Sequence, residues 1–207
     1  MTTIPASWQR FLDEAREHDP HAIIAGGAIR DLICGRKPKD IDLFTLHGTA
    51  PSALLGPSVH ITGYNTKSCS PYTIEGIYEL RKKGVEYPIQ LIKLDQAPDP
   101  LELIETFDFG ICMAAYDGKE IIRSRHFDED FEKHIFTLRH CRDKAAAEKR
   151  YSRISKRYID YPGPYGSWFH SGIRWPMVLS GKARLDIMLQ KLEAKGRLHP
   201  PGWSYYR

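Results

Sequence analysis

The chain has 207 residues, of which 42 % are hydrophobic, and its formal net charge at pH 7 is +4. This length can bury one sizeable core, which predicts a single catalytic domain with an extension and excludes two large domains. The longest apolar runs fall far short of the roughly 20 residues of a membrane-spanning helix, and the N-terminus lacks the apolar region of a leader. We therefore expect a soluble, cytoplasmic protein with no membrane contact. The four cysteines show no C-x-x-C spacing, so we expect reduced thiols.

The first half of the chain reads as an α/β pattern. Apolar residues at helical spacing predict an amphipathic helix from Ser7 to His18, with Ser7 as its N-cap. The sequence then gives a buried strand "AIIA", a turn at Gly26-Gly27, a short helix "AIRDLIC", a loop "GRKPK" and a strand "DIDLF".

The next stretch predicts further strands. "VHIT", "YTIEGIYEL" and "GVEYPIQLIKL" are expected strands, the last two joined through residues 81–84, and a helical turn follows at Leu101 to Thr106. "FDFGICMAAY" is expected to form another strand, and Asp117-Gly118 a hairpin turn. The predicted fold class is therefore α+β, with a mixed sheet as its head.

The C-terminal part is basic and predominantly helical. Residues 1–117 contain 11 Lys/Arg against 16 Asp/Glu, whereas residues 118–207 contain 19 against 10. From Asp128 to Tyr158 the pattern predicts one helix or a pair, with an apolar stripe at Tyr151, Ile154 and Tyr158. A structured loop over 158–176 and a last helix over 181–195 are expected. The charge indicates contact with a polyanion, although a solvated basic helix has the same composition.

Asp40 and Asp42 are the first candidate site residues. Alternate side chains of a strand point to the same face, so both carboxylates project together while Ile41 enters the core. Two adjacent carboxylates repel one another unless a divalent cation bridges them, and hard oxygen ligands suit Mg²⁺ with bound phosphates. The sequence therefore predicts a metal site at Asp40 and Asp42.

The diglycine predicts a second part of the same site. Gly26 and Gly27 allow the backbone to approach a ligand closely, and the helix that follows directs its N-terminal amides at that position. Phosphate is the expected ligand. Arg30 has two open roles here, either contacting the anion or pairing with Asp31 to hold the loop.

Two stretches carry a resemblance to a known family. "GGAIRDLICGRKPKDIDLF" resembles the signature of the DNA polymerase β-type nucleotidyltransferase superfamily, in particular its CCA-adding enzyme and bacterial poly(A) polymerase branch. "FDFGICMAAYD" is similar to that branch's R-R-D-F-T-x-N-A-L motif. The resemblance covers roughly residues 20–125, which implies a compact, phage-type catalytic head over 1–125 and a basic, reduced neck-like extension over 126–207.

The resemblance implies two-metal nucleotidyl transfer from a nucleoside triphosphate (NTP) such as ATP, with release of pyrophosphate. Asp40 and Asp42 would hold two Mg²⁺ ions, Gly26 and Gly27 would bind the β- and γ-phosphates, and Asp108 would contact the ribose or support the metal. The expected acceptor is a hydroxyl at an RNA 3′ end, as in tRNA processing, with Arg139, Arg150 and Arg153 of the extension as candidates for contacting base or RNA backbone.

The chain departs from the family pattern at three places. Gln90 occupies the position of the third carboxylate, which leaves Glu86 or Asp108 as candidates for that role. Thr106 and Phe107 replace the motif's paired arginines and leave Asp108 without its usual cationic neighbours. The base-reading E-D-x-x-R motif of the neck has no match.

These departures leave three functions open. The first is an enzyme that modifies RNA 3′ ends, and the second is an enzyme that nucleotidylates a protein or a small molecule. The third is a pseudoenzyme that binds nucleotide or RNA without transfer. The sequence specifies neither the nucleotide nor the oligomeric state.

Overall fold

The computed structural model describes residues 2–46, 59–63, 67–69, 71–133, 135–140 and 144–159. It contains five helices within these ranges: α1 Ala6–His18, α2 Gly27–Ile33, α3 Pro100–Glu105, α4 Arg125–Lys133 and α5 Lys144–Ile159. It also contains eight strands there: β1 Ile23–Ala25, β2 Ile41–Leu46, β3 Val59–Gly63, β4 Lys67–Cys69, β5 Tyr72–Leu80, β6 Ile89–Leu94, β7 Ala114–Tyr116 and β8 Ile121–Arg123. None of the helices over these residues is long and apolar enough to cross a membrane.

The chain forms two compact units. The first comprises residues 1–106 and 112–124, and the second comprises residues 107–111 and 125–207. All eight strands lie in the first unit, and α4 and α5 belong to the second. The domain boundary expected between residues 125 and 126 stays a prediction.

The first unit is built on one mixed sheet. Its strand order is β3-β5-β6-β2-β1-β7-β8, with β4 paired to β5. β2 and β6 pair in parallel, and the other pairs are antiparallel. The expected α+β class with a mixed sheet is thereby confirmed. The parallel pair at the centre places the strand that carries Asp42 next to the strand that carries Gln90.

The two faces of the sheet differ in character at this central pair. Cross-strand partners point to the same face, so Leu43, Leu91 and Tyr78 share one face, on which both leucines are fully buried. Their neighbours Asp42 and Gln90 point to the opposite face and are half-buried. The sheet therefore presents a polar row on the face away from this part of the core.

α1 forms where the sequence predicts it but starts differently. It buries Trp8, Phe11, Leu12 and Ala15, the predicted apolar face. Ser7 is not its N-cap, because the helix begins at Ala6 after Pro5 and no side chain caps it. The carbonyl of Pro5 instead accepts the N–H groups of Trp8 and Gln9 at 2.9 and 3.1 Å. A backbone carbonyl thus accepts the N–H groups of the first turn, the part that a capping side chain plays in other helices.

Several strands differ from their expected bounds. "VHIT" and "YTIEGIYEL" are strands, but residues 84–88 precede β6 as irregular chain, and β4 had no sequence signal. "FDFGICMAAY" is a strand only from Ala114, since a 3₁₀ turn occupies Gly110–Cys112. The N–H of Gly110 donates to the Thr137 carbonyl at 2.9 Å, a partner outside the sheet, which explains why this segment does not join the ladder.

The hairpin turn at Asp117-Gly118 is confirmed. β7 and β8 pair antiparallel around it, and Gly118 has a φ of 92°, a left-handed conformation that glycine adopts without steric cost. The Asp117 carboxylate accepts the N–H groups of Lys119 and Glu120, both at 2.8 Å, so the turn satisfies its own backbone donors.

The second unit contains the predicted pair of helices. α4 and α5 are separated by extended residues 135–140, in which Leu138 forms a bridge with Phe109. Tyr151 and Ile154 are buried as the apolar stripe predicts. The loop expected over 158–176 is wrong at residues 158 and 159, which belong to α5, and the rest of it lies outside the described residues, as does the helix expected over 181–195. The side chain of Tyr158 is also not among those described.

Candidate active site

β2 holds the paired carboxylates. Ile41 and Leu43 are fully buried, whereas Asp40 and Asp42 are half-buried beside them, as the period of two predicts. The N–H of Ile41 donates to the Pro88 carbonyl at 2.8 Å, which fixes the start of β2 against the chain that leads into β6. Asp40 therefore directly precedes β2 and Asp42 is the second residue of the strand, two positions apart as the predicted shared face requires.

The diglycine turn adjoins these carboxylates. The Cα atoms of Ala25 and Asp42 are paired across β1 and β2, and Gly26 follows Ala25 directly. Gly26 has a φ of 83°, donates its N–H to the Ala114 carbonyl at 2.8 Å and accepts the N–H of Arg30 at 3.1 Å. The turn thus depends on a left-handed residue, and it brings the start of α2 to the strand that neighbours Asp42.

Arg30 and Asp31 form a buried ion pair. The Arg30 Nε and Nη2 atoms donate to Asp31 Oδ1 at 2.8 and 2.7 Å, and Nη1 donates to the Cys112 sulfur at 3.1 Å. Both side chains are at most 6 % exposed. Of the two roles that the sequence allows for Arg30, the structure displays the pair with Asp31, and contact of either residue with an anion stays a prediction.

Gln90 lies directly beside Asp42, as the Cα partner of that residue across β2 and β6. On the other side of Gln90 the partner is Glu79 of β5, an exposed residue on the same face. Sequence reasoning missed Glu79, because its place in the row follows from the pairing of β5 with β6. The alternation within "YTIEGIYEL" was the signal that put it on the polar face.

The donor set of this row fits a magnesium site of low charge. Asp40, Asp42 and the amide oxygen of Gln90 are hard oxygen ligands of the kind Mg²⁺ takes. Over the described residues no three His, Cys, Asp or Glu side chains lie close enough together to hold a metal ion. Glu86 precedes β6, is exposed and lies 3.9 Å from Lys37 Nζ, outside the row.

Asp108 belongs to the second unit and has a cationic neighbour there. The Nη1 atom of Arg150 donates to Asp108 Oδ2 at 2.7 Å. Thr106 and Phe107 still stand in place of the motif's paired arginines, and α5 supplies a different cation to Asp108 from 42 residues further along the chain. A motif comparison confined to neighbouring residues has no access to such a partner.

The other two predicted arginines occupy different environments. Arg139 Nη2 donates to Glu129 Oε2 at 3.2 Å, and Arg125 Nε donates to Oε1 of the same carboxylate at 2.9 Å. Arg153 is exposed on α5. The structure therefore groups Arg150 with Asp108 and Arg139 with Glu129.

Asp130 is a buried carboxyl that sequence reasoning missed. Its Oδ2 atom accepts the N–H groups of Ile111 and Thr137, both at 2.9 Å, and Oδ1 accepts the Thr137 hydroxyl at 2.6 Å. Burial raises the pKa of Asp130 to about 6, against the opposing effect of these hydrogen bonds and of Arg139. Asp130 lies three residues after the buried Phe127, and that helical spacing was its only sequence signal.

The sequence model of the Gabija anti-defense 2 family (Gad2) matches residues 4–137. This chain belongs to the Gabija anti-defense 2 family. The match includes the paired carboxylates, the diglycine turn and Asp130, whereas Arg139, Arg150 and Arg153 lie beyond its end.

A Gad2 relative comes from Bacillus phage SPbetaL7. That protein, "Gabija anti-defense 2", is 31 % identical to this chain over 113 residues, which are 55 % of this chain and 26 % of the relative. The chain therefore spans about a quarter of the length of the relative it matches.

Solved structures of CCA-adding enzymes share the fold of this Gad2 chain. The Thermotoga maritima enzyme complexed with tRNA is 16 % identical, covers 93 % of this chain and 45 % of its own, and has a TM-score of 0.54. A CCA-adding enzyme in complex with CTP is 19 % identical with coverages of 93 % and 44 % and the same TM-score. The fold is that of a nucleotidyltransferase head, which confirms the resemblance drawn from the two sequence motifs.

Proposed function

We propose that this chain is an Mg²⁺-dependent nucleotidyltransferase that transfers a nucleoside monophosphate from an NTP to a hydroxyl. The observation that carries the proposal is the juxtaposition of Asp42 with Ala25 and the Gly26-Gly27 turn across β1 and β2. This places a carboxylate pair beside a backbone that a phosphate can approach closely, on a fold shared with CCA-adding enzymes.

Each part of the site has a chemical role in this proposal. Asp40 and Asp42 would hold the divalent ions, and Gly26 and Gly27 would face the β- and γ-phosphates. Mg²⁺, when bound there, would supply charge neutralisation at the phosphates. The acceptor hydroxyl oxygen attacks the α-phosphorus, the bond to the bridging oxygen breaks, pyrophosphate leaves and the hydroxyl proton passes to solvent. The role that the resemblance implies for Asp108 stays a prediction.

We favour an RNA 3′ end as the acceptor. The C-terminal part of the chain is basic, and Arg153 is exposed on α5, where it is available to a phosphate backbone. Solved neighbours of the same fold are named as complexes with tRNA and with CTP. A protein or a small molecule is the alternative acceptor. We further propose that nucleotidyl transfer is the chemistry behind the anti-defense role in the family's name.

Gln90 favours a second candidate function, a pseudoenzyme that binds nucleotide without transfer. A neutral amide beside Asp42 gives the row one negative charge fewer than a carboxylate there. Less charge weakens the binding of a second metal ion, and binding of a single ion with its nucleotide is compatible with recognition alone.

Binding of Mn²⁺ in the presence of ATP, followed by electron paramagnetic resonance, tests the metal site. We expect Asp42→Asn to weaken Mn²⁺ binding at least about tenfold, because it removes a direct ligand. Glu17→Gln is the matched control, since Glu17 is exposed on α1 and its loss removes the same charge from the same unit. Equal Mn²⁺ affinity of the wild type and Asp42→Asn would exclude the proposed metal site.

A further inference from the structure

The cations of the acidic half of the chain are concentrated in two loops. Residues 1–117 contain 11 Lys and Arg, and six of these, three in each loop, lie within residues 36–39 and 81–83. In the first loop Pro38 is buried between two exposed lysines, so the proline packs inward while both cations reach solvent. The exposed cations of the two loops form a basic rim that consists of Lys37, Lys39, Arg81 and Lys83.

The two loops meet at one edge of the sheet. The first leads into β2 and the second into β6, and these strands pair in parallel from Ile41 and Ile89 onward. Parallel strands begin at the same edge of a sheet, so both loops lie where β2 and β6 begin. Two contacts join them there. The N–H of Ile41 donates to the Pro88 carbonyl at 2.8 Å, and Lys37 Nζ lies 3.9 Å from a Glu86 carboxylate oxygen.

The second loop is a fixed turn. The carbonyl of Lys82 accepts the N–H of the residue three positions on at 3.1 Å, and Gly84 has a φ of 88°, so Lys83 and Gly84 form the tip of a four-residue turn. Lys82 packs back on α1, where its Nζ atom lies 5.8 Å from the centre of the Phe11 ring and donates to Glu14. Lys82 therefore anchors the turn, while Lys83 is exposed at its tip.

The basic rim borders the candidate active site within the first unit. Lys39 directly precedes Asp40, and the antiparallel pairing of β1 with β2 brings the Gly26-Gly27 turn to the same edge. A nucleic acid strand whose 3′ hydroxyl reaches the paired carboxylates has to bring the phosphates that precede this hydroxyl to the same edge. Lys and Arg side chains there would offset the repulsion between those phosphates and the carboxylates.

We propose that the basic rim binds the phosphate backbone of a single-stranded RNA acceptor next to its reacting 3′ end. This inference rests on the proposed nucleotidyltransferase function. It adds a contact on the sheet-bearing unit that is separate from any contact made by the basic extension. The position of the basic rim favours RNA over an acidic protein, because the acceptor strand of the proposed reaction has to pass this edge.

Fluorescence anisotropy of a short labelled oligo(A) RNA, titrated at several KCl concentrations, tests the basic rim. The rim pair combines Lys39→Gln with Arg81→Gln, one cation from each loop. The control pair, Lys119→Gln with Arg123→Gln, removes one exposed Lys and one exposed Arg from the same unit at the far side of the sheet, around β8. All four positions are exposed, so the variants change charge and leave the core intact.

We expect the rim pair to weaken RNA binding by about 10- to 30-fold at about 0.1 M KCl. The slope of the logarithm of the association constant against the logarithm of the KCl concentration should fall by about 1.4, which is about 0.7 for each lost phosphate contact of a single strand. The control pair should keep the wild-type slope. Adding Lys83→Gln to the rim pair should lower the slope once more by about the same step.

Three outcomes would overturn the proposal. The first is an equal RNA affinity and salt slope in the rim pair and the control pair. The second is a rim pair that binds RNA normally but loses affinity for ATP in Mg²⁺, measured by calorimetry, which would assign the basic rim to the nucleotide. The third is a wild type that binds no RNA but labels a protein, which would leave nucleotidyl transfer intact. Loss of RNA binding in the rim pair, with no nucleotide transfer by the wild type, would support the basic rim and overturn the proposed function alone.

Discussion

The Asp130 carboxyl is completely buried and accepts three hydrogen bonds. Burial raises its pKa to about 6 from a usual value near 3.8. Because the folded state binds the proton more tightly than the unfolded state, the stabilising contribution is complete below pH 3.8 and is lost as the pH rises through 6. This rise of about 2 in the pKa corresponds to about 3 kcal/mol of the free energy of unfolding. Asp130 therefore stabilises the second unit more in mild acid than at neutral pH.

Asp130→Asn is expected to remove this pH dependence. The amide oxygen can accept the two N–H groups that Oδ2 accepts, and the amide nitrogen can donate to the Thr137 hydroxyl. The free energy of unfolding of the variant minus that of the wild type should rise by about 2–3 kcal/mol from pH 4 to pH 7. Urea unfolding at each pH measures this difference. A free-energy difference between the two proteins that stays constant over this range would contradict the pKa assigned to Asp130.

At the scale of the element, α2 begins at two glycines with different requirements. Gly26 has a φ of 83°, which a residue with a Cβ adopts only under strain, whereas a Cβ on Gly27 would meet Arg30 Nη2 at 3.5 Å, an ordinary contact. Gly26 is thus demanded by the fold. Gly27 can be replaced by alanine without strain. A loss of nucleotide binding in Gly27→Ala would therefore show that the added Cβ meets the ligand.

Gly26→Ala and Gly27→Ala separate these two requirements. We expect Gly26→Ala to destabilise the chain by about 1–3 kcal/mol because of backbone strain, and Gly27→Ala to change the free energy of unfolding little. Both should weaken binding of an NTP, measured by calorimetry in Mg²⁺. Unimpaired nucleotide binding by a stably folded Gly27→Ala would remove the diglycine turn from the proposed phosphate site.

The elements that the sequence predicts well are those with strong local periodicity. α1, β2 and β5 follow from the spacing of their apolar residues, and the hairpin turn follows from Asp117-Gly118. The 3₁₀ turn at Gly110–Cys112 was not predictable in this way, because the N–H groups of Gly110 and Ile111 find partners about 20 or more residues further along the chain. Local propensity carries no information on such partners.

The same limit applies to the candidate site. The face shared by Asp40 and Asp42 follows from the period of a strand, and the position of Gln90 beside Asp42 follows from the motif. The place of Glu79 beside Gln90 depends on the pairing of β5 with β6, and the contact of Arg150 with Asp108 in the second unit depends on the packing of α5, both long-range features. Residue type and spacing thus predicted the carboxylate pair, and only the structure supplies what surrounds it.

At the scale of the whole molecule, acidic and basic charge are segregated along the chain. Residues 1–117 carry an excess of acidic groups together with Asp40 and Asp42, and residues 118–207 carry the excess of Lys and Arg. In the proposed function, this segregation would keep the carboxylates that bind metal apart from most of the cationic groups that meet a polyanion. We propose that this molecule as a whole transfers nucleotides.

Label transfer tests that claim most directly. Purified protein is incubated with Mg²⁺, each α-³²P-labelled NTP in turn and a cell lysate, and the products are divided between nuclease and protease digestion. We predict label that nuclease removes and that is absent with Asp40→Asn, while protease-sensitive label would move the acceptor to a protein. Equal label with the wild type and Asp40→Asn, or none from either on any acceptor, would contradict nucleotidyl transfer at this site.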